Sequence, residues 1–169
     1  KKKKKNKKKK KIGLISDTHA YWDDRYARFF SDCDEIWHAG DIGSLEIYNK
    51  LSELKPVRAV YGNIDGHPLR AMLPEVLIFN IEGFNVLLTH IGGYPGKYAK
   101  NIINRLRSEN INLFISGHSH ILKVINDKVL NLLHVNPGAA GIYGFHKVRT
   151  VVRFTLDNGK ISDFEIQEF

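Results

Sequence analysis

The sequence has a single cysteine and no long hydrophobic run, and each shortage excludes a class of protein. Cys33 is the one cysteine among 169 residues, so the chain can form neither an intramolecular disulfide nor a cysteine-rich zinc site. The apolar run at residues 12–15 is much shorter than the roughly 7–15 residues of a signal sequence or the about 20 of a membrane span. We therefore expect a cytoplasmic protein that has no membrane partner.

The positive charge is concentrated at the beginning of the chain. The formal net charge is +8, but ten lysines lie within residues 1–11, so the remaining residues carry a formal charge of −2. A run of like charges repels itself, which predicts a disordered tail over residues 1–11. Residues 12–169 then form a single domain of ordinary size. Contact with nucleic acid is expected only through the tail, because the rest of the chain has no excess of basic residues.

Strand and helix patterns alternate early in the sequence, and strand patterns dominate its last part. Short apolar runs without helical periodicity predict strands, and Ser44 predicts the N-cap of a helix. The predicted strands cover residues 12–15, 35–38, 57–61, 76–81, 85–88, 113–115, 122–125, 129–133, 150–156 and 161–166. The predicted helices cover residues 24–30, 45–54 and 97–110, with a loop at 63–73. This order indicates a mixed α/β fold with two sheets packed face to face and helices outside.

Side chains that commonly bind metal ions follow five of the predicted strands. They are Asp17, His19, Asp41, Asn63, His90, His118 and His120. In α/β proteins ligands bind beyond the carboxyl ends of the strands, so we expect these side chains to converge on one site. Gly40 and Gly62 allow the backbone to bend sharply just before Asp41 and Asn63. Carboxylate, amide and imidazole donors without thiolate suit Mn²⁺, Zn²⁺ or iron.

The spacing of the histidines separates candidate ligands from the others. Gly117-His-Ser-His120 places two imidazoles in one tight loop, which predicts one imidazole for each of two ions. His38 lies in a predicted strand, where we expect a local hydrogen bond, and His134 precedes a predicted turn. His146 is expected either to be exposed beside Lys147 or to face the cleft.

The order of these motifs resembles that of the calcineurin-like metallophosphoesterase superfamily. The motifs are Asp17-Thr-His19, Gly40-Asp41, Gly62-Asn63, Thr89-His90 and Gly117-His-Ser-His120. The resemblance extends over about residues 12–169, and Asn136-Pro-Gly138 and the compact length are most similar to the small, YfcE-like phosphodiesterase branch. It implies a four-layer α/β/β/α sandwich of two mixed sheets. It also implies two divalent metal ions, with Mn²⁺ expected first and Zn²⁺, iron or Ni²⁺ as alternatives.

Residue by residue, the resemblance divides the seven donors between two ions. It implies that Asp17, His19 and His120 bind the first ion and that Asn63, His90 and His118 bind the second. Asp41 would bridge both ions. The implied reaction is hydrolysis of a small phosphodiester or nucleotide-like substrate by a hydroxide that the ions share, with Asn63 stabilising charge on the phosphate oxygens.

One position departs from the pattern of the superfamily. Many members have a histidine after the Gly-Asn pair that protonates the leaving group, whereas this chain has Ile64, which cannot transfer a proton. His67 is the candidate for the general acid, with Asp65 as an alternative. Because the small phosphodiesterase branch also lacks that histidine, the departure favours phosphodiesters with good leaving groups over unactivated monoesters.

A second hypothesis is a non-catalytic protein-interaction scaffold of the same fold, as in Vps29-like proteins. Fold alone does not separate an enzyme from a scaffold. A scaffold needs no complete set of metal donors, and this chain has all seven, so we favour the enzyme. Self-association through the last predicted hairpin remains open as a further partner interaction.

Overall fold

The structure, a computed structural model, describes residues 9–169, which form twelve strands and four helices. The strands are β1 (Lys10–Ile15), β2 (Glu35–His38), β3 (Val57–Ala59), β4 (Val76–Ile81), β5 (Phe84–Thr89), β6 (Gly93–Tyr94), β7 (Lys97–Tyr98), β8 (Leu113–Ile115), β9 (Leu122–Asp127), β10 (Leu132–Pro137), β11 (Thr150–Asp157) and β12 (Lys160–Glu168). The helices are α1 (Asp24–Phe29), α2 (Leu45–Leu54), α3 (Leu69–Met72) and α4 (Lys100–Ser108). Among these residues no helix has both the length and the apolar character that crossing a membrane requires.

Ten of the strands form two five-stranded mixed sheets. The first sheet has the order β12-β11-β1-β2-β3 and the second the order β4-β5-β8-β10-β9, while β6 and β7 form a separate hairpin. Strands β1, β2 and β3 are parallel to one another, and so are β5, β8 and β10. Parallel strands end at the same edge of a sheet, so the loops that follow them lie together.

The core consists of three apolar layers. The central layer lies between the sheets and joins, for example, Leu14 and Trp37 of the first sheet to Leu88 of the second. A second layer packs α1 and α2 on the outer face of the first sheet, and a third packs α4 on the outer face of the second. The predicted four-layer sandwich of two mixed sheets is therefore confirmed.

The strand β1 begins two residues earlier than the sequence predicted. Lys10 and Lys11 pair with β11, and the Lys11 backbone N–H donates to the Asp34 carboxylate. The predicted tail boundary at residue 11 is therefore wrong, because local acceptors and strand pairing hold these two lysines in the sheet. Of the predicted tail, residues 1–8 lie outside the described residues.

Helix α3 lies inside the predicted loop at 63–73, and two further segments differ from the prediction for local reasons. The turn expected at residues 126–127 falls at 128–131, because the Asp127 carboxylate accepts from the backbone N–H groups of Val129 and Leu130. Strand β10 therefore starts at Leu132 rather than at residue 129. Helix α4 starts at Lys100 rather than at residue 97, since the β6–β7 hairpin occupies the preceding residues.

The side chain of Trp37 packs between the two sheets, and its removal should lower the stability of the fold. Its ring makes edge contacts with Phe79 of the second sheet and Phe154 of the first, at centroid distances of 5.1 and 6.0 Å. We expect Trp37→Ala to lower the free energy of unfolding in urea by about 3–5 kcal/mol, the usual cost of removing a buried aromatic side chain. The fully exposed Phe145 provides the control, and an equal loss in Phe145→Ala would contradict this assignment.

Candidate metal centre

The loops after the parallel strands bring all seven predicted donors to one edge of the sandwich. Backbone hydrogen bonds join the loop after β1 to the loop after β2, from Asp17 N to Gly40 O and from His19 N to Asp41 O, both at 3.0 Å. The loop after β8 is joined to the end of β5 by a bond from Gly117 N to His90 O. Loops from both sheets therefore meet around one space.

Six of the seven donors form two compact groups. Asp17, His19 and His120 make up the first group, and Asp41, His90 and His118 make up the second. Within each group the possible ligand atoms lie within 4.8 Å of one another. The Asn63 amide oxygen lies 3.1 Å from His118 Nδ1, next to the second group. The resemblance implied the same separation of the histidines but placed Asp41 as a bridge between both groups, and the assignment of these side chains as ligands stays a prediction.

The two groups face each other across the carboxylates. Asp41 Oδ2 lies 3.1 Å from His90 Nε2 of its own group and 3.4 Å from His19 Nε2 of the other. Asp17 Oδ1 lies 3.2 Å from His120 Nε2 and 3.8 Å from His90 Nε2. Both carboxylates are thus shared between the groups, and each points into the space that the imidazole nitrogens surround.

The chemistry of this space fits a metal ion. Asp17 Oδ1, His19 Nε2 and His90 Nε2 are buried and have no hydrogen-bond partner within residues 9–169, although buried polar atoms are normally paired. A side chain at position 62 would collide with the Asp41 carboxylate, and one at position 117 would collide with Ser16. The two glycines therefore make room for a set of oxygen and nitrogen donors that lack partners of their own.

Five of the donors have left-handed backbone conformations. Their φ angles are 53° at Asp17, 43° at His19, 53° at Asp41, 71° at His118 and 62° at His120. Non-glycine residues rarely adopt such angles, and each occurrence stores roughly 1–3 kcal/mol of strain that the surrounding structure must hold. Clustered strain of this kind is typical of functional sites.

Buried hydrogen bonds hold the loops in this conformation. His38 donates from Nε2 to the Thr18 hydroxyl at 3.0 Å, and this hydroxyl donates to the Ile42 carbonyl at 2.8 Å. His38 Nδ1 accepts from the Gly40 N–H, and burial lowers the pKa of His38 to about 4. The predicted local hydrogen bond of His38 is confirmed, and the neutral ring joins the first two loops.

Asp65 holds two loops together, a role that the sequence did not predict. Its buried carboxylate accepts from the backbone N–H groups of Ile42 and Gly62 through Oδ2, at 3.1 and 2.9 Å, and from Gly43 through Oδ1 at 2.8 Å. Both oxygens of the Asp65 carboxylate are thus used by the loops that carry Asp41 and Asn63. One feature of the sequence points to this role: Asp65 follows Gly62 by three positions, a spacing that is compatible with a turn.

Contacts with the imidazoles stabilise the ionised forms of the two carboxylates. Burial would raise the pKa of Asp17, but the close contacts of its carboxylate with the imidazoles of His120 and His19 outweigh burial and hold the pKa below its usual range. At Asp41 burial would also raise the pKa, but the contact with His90 outweighs burial, so this pKa is lowered as well. Both carboxylates therefore carry negative charge at neutral pH and create a site that favours a cation.

Comparison with known protein families agrees with this geometry. A family model described as the calcineurin-like phosphoesterase superfamily domain matches residues 11–159. The chain belongs to the calcineurin-like phosphoesterase superfamily. Members of this superfamily use divalent metal ions, and the two donor groups are the candidate ligands in this member.

Individual relatives include proteins described as phosphoesterases and structures of Vps29. A probable metallophosphoesterase of Methanothermobacter thermautotrophicus is 35% identical over 137 residues, which cover 76% of each protein. Vps29 of Chaetomium thermophilum has a TM-score of 0.73 at 13% identity, covering 94% of this chain and 96% of its own. A predicted phosphoesterase of Streptococcus pneumoniae has a TM-score of 0.68 at 21% identity, covering 95% and 89%. At these identities the two structures show the superfamily fold alone.

A cleft of about 660 Å³ opens from the donors of this superfamily member to the solvent. Its walls include Ile64 beside Asn63, and Tyr143, Phe145 and His146 from the segment before β11. Tyr143 stacks on the His19 ring at a centroid distance of 4.8 Å. Of the two positions that the sequence left open for His146, the structure shows the one that faces the cleft.

The structure does not bring His67 to this cleft. The residue is exposed, its imidazole makes no hydrogen bond within residues 9–169, and it is not among the cleft-lining residues. Asp65, the alternative acid, is buried, and both of its carboxylate oxygens accept hydrogen bonds from backbone N–H groups. A general-acid role for His67 stays a prediction from the sequence.

The role of Asp65 can be tested by removing one acceptor atom. In Asp65→Asn an amide N–H₂ replaces an oxygen and faces a backbone N–H, which leaves at least one buried donor without a partner. We expect the free energy of unfolding to fall by about 1–3 kcal/mol, measured by urea denaturation. Asp163→Asn, at an exposed position, is the matched control. An unchanged stability of Asp65→Asn would show that the carboxylate does not hold the loops.

Proposed function

We propose that this protein is a metal-dependent phosphodiesterase with a dinuclear metal site. The observation that carries the proposal is the completeness of the donor set, since seven oxygen or nitrogen donors from five loops surround one space. Two of them are carboxylates that are ionised and almost fully buried. The relative described as a probable metallophosphoesterase supports the same class of reaction.

The donors divide between two proposed ions. Asp17, His19 and His120 would bind one ion, Asn63, His90 and His118 would bind the other, and Asp41 would contact both. Bound there, two divalent ions would supply Lewis-acid polarisation of the phosphate ester and a water of lowered pKa. Mn²⁺ suits this mixture of oxygen and nitrogen donors, with Zn²⁺, iron and Ni²⁺ as alternatives.

Hydrogen bonds within the protein orient the side chains of the proposed ligands. His90 donates from Nδ1 to the Ala39 carbonyl at 2.8 Å, so its Nε2 lone pair is directed at Asp41 and is available to a cation. Asp17 is held through Oδ2 by the Ser16 hydroxyl and the His118 N–H, at 2.7 and 3.1 Å. These bonds leave Asp17 Oδ1 free to face the cluster.

The preference for a diester over a monoester follows from Ile64. This side chain lines the cleft beside Asn63, where it cannot protonate a leaving oxygen. The exposed Asn63 amide would contact phosphate oxygens and stabilise their charge. A small phosphodiester or nucleotide-like substrate with a good leaving group therefore fits the site best.

The second candidate function is a protein-interaction scaffold. Exposed apolar side chains surround the cleft, among them Ile64, Ile121, Tyr143 and Phe145, and such groupings often mark interaction surfaces. The structural likeness to Vps29 makes this hypothesis worth testing. One protein can have both a binding surface and a hydrolytic site. A measurement of hydrolysis therefore distinguishes the two proposed functions, whereas the fold does not.

Loss of the shared carboxylate should abolish hydrolysis. In Asp41→Asn the side chain keeps its size but loses the negative charge that both donor groups face. We expect the rate of bis-p-nitrophenyl phosphate hydrolysis with Mn²⁺ to fall by more than about 100-fold, and the amount of bound Mn²⁺ to fall as well. Asp163→Asn is the control. Wild-type rates in Asp41→Asn would contradict the metal assignment, and an inactive wild-type protein that binds Mn²⁺ would favour the scaffold.

The acid role of His67 can be measured through the leaving group. If the imidazole protonates the leaving oxygen, His67→Ala should slow esters of poor leaving groups more than p-nitrophenyl esters, because the latter need little protonation. Initial rates are compared for an alkyl and a p-nitrophenyl phosphodiester. Equal slowing, or none, would remove His67 as the acid, in keeping with its exposed position outside the cleft.

A further inference from the structure

His146 forms a chain of hydrogen bonds that ends at a candidate metal ligand. Its Nε2 lies 2.8 Å from the Gly141 carbonyl oxygen, and its Nδ1 lies 3.2 Å from His120 Nδ1. The two rings are nearly perpendicular, at 85°. The other nitrogen of His120, Nε2, faces Asp17 Oδ1 at 3.2 Å.

The order of donors along this chain follows from the carbonyl at its end. A carbonyl oxygen only accepts, so His146 Nε2 carries the hydrogen and donates it to Gly141. In neutral His146 the nitrogen Nδ1 is then the acceptor, and His120 Nδ1 must donate to it. His120 is thereby held in the tautomer whose Nε2 has a free lone pair, which is the atom directed at Asp17.

The other imidazole of the same group also depends on this segment, whereas the second group does not. Residues 141–148 lie between β10 and β11, and Tyr143 of this segment stacks on His19. In the second group, His90 is oriented by the Ala39 carbonyl and His118 contacts Asn63. The segment therefore supports one donor group selectively.

We propose that His146 is a positioning residue for the first ion, acting through the tautomer and orientation of His120. The inference rests on the proposed metal function. A partner that fixes the tautomer of a metal-binding histidine raises metal affinity, and its removal typically costs 10–100-fold. Because the chain of bonds reaches only His120, the effect is confined to one of the two ions.

The affinity of each ion tests the proposal without any measurement of activity. Mn²⁺ is titrated calorimetrically into the metal-free full chain, and we expect two binding events in the wild type. In His146→Ala the dissociation constant of one event should rise about 10–100-fold, while the other stays unchanged. His146→Gln should recover most of the affinity, because its amide can accept from His120 and donate to Gly141. Lys147→Ala, at the exposed neighbouring position, should match the wild type.

The outcomes separate this inference from the proposed function. Two unchanged binding events in His146→Ala would overturn the positioning role while leaving the dinuclear site intact, and so would an equal loss of both events. If His146→Gln bound Mn²⁺ no more tightly than His146→Ala, the contact with His120 would be one of packing alone, and the proposed chain of hydrogen bonds would be overturned. A wild-type protein that binds no Mn²⁺ would overturn the proposed function together with the inference.

A spectroscopic signature provides an independent check. In the Zn²⁺-loaded protein, the imidazole ¹⁵N shifts of His120 should show a protonated Nδ1 and a metal-bound Nε2. A metal bound at Nδ1 would contradict the donor order derived from Gly141.

Discussion

Two buried carboxylates, those of Asp17 and Asp41, determine how the site is arranged. An ionised carboxylate is costly to bury unless positive charge or hydrogen-bond donors compensate for it. Hydrogen bonds from Ser16 and from the His118 N–H to Asp17 Oδ2 supply part of that compensation, yet Asp17 Oδ1 and two imidazole nitrogens keep no partner within residues 9–169. Cations in this space would satisfy all three atoms at once. The loop geometry, the glycines and the supporting hydrogen bonds serve this one electrostatic requirement.

The sequence was sufficient to predict the architecture and to find the side chains that meet at one edge of the sandwich, because both follow from local patterns. Each donor stands directly after an apolar run, and parallel strands bring such positions to one edge. The partition of the donors needed the family resemblance, since spacing alone does not say which strands are neighbours. The resemblance placed Asp17 with His120, which are 103 positions apart in the sequence and meet only in the folded chain.

Features that depend on contacts between distant segments were not predictable. Asp65 was considered as an acid, but its carboxylate is engaged by N–H groups of a loop more than 20 positions away. His146 could be placed beside the cleft or in solvent until its contact with His120 was known. The turn after Asp127 was misplaced for a local reason, because an Asp side chain that accepts from the following N–H groups shifts a turn by two residues.

The left-handed backbone at five donors has a consequence for how this protein would change under selection. Glycine adopts these angles at little cost, so exchanging a donor such as His19 or His118 for glycine would relieve strain while discarding a ligand. Selection for thermal stability alone would therefore tolerate such exchanges, although each one removes a candidate ligand. A descendant could keep the sandwich fold, gain stability and function only by binding other proteins.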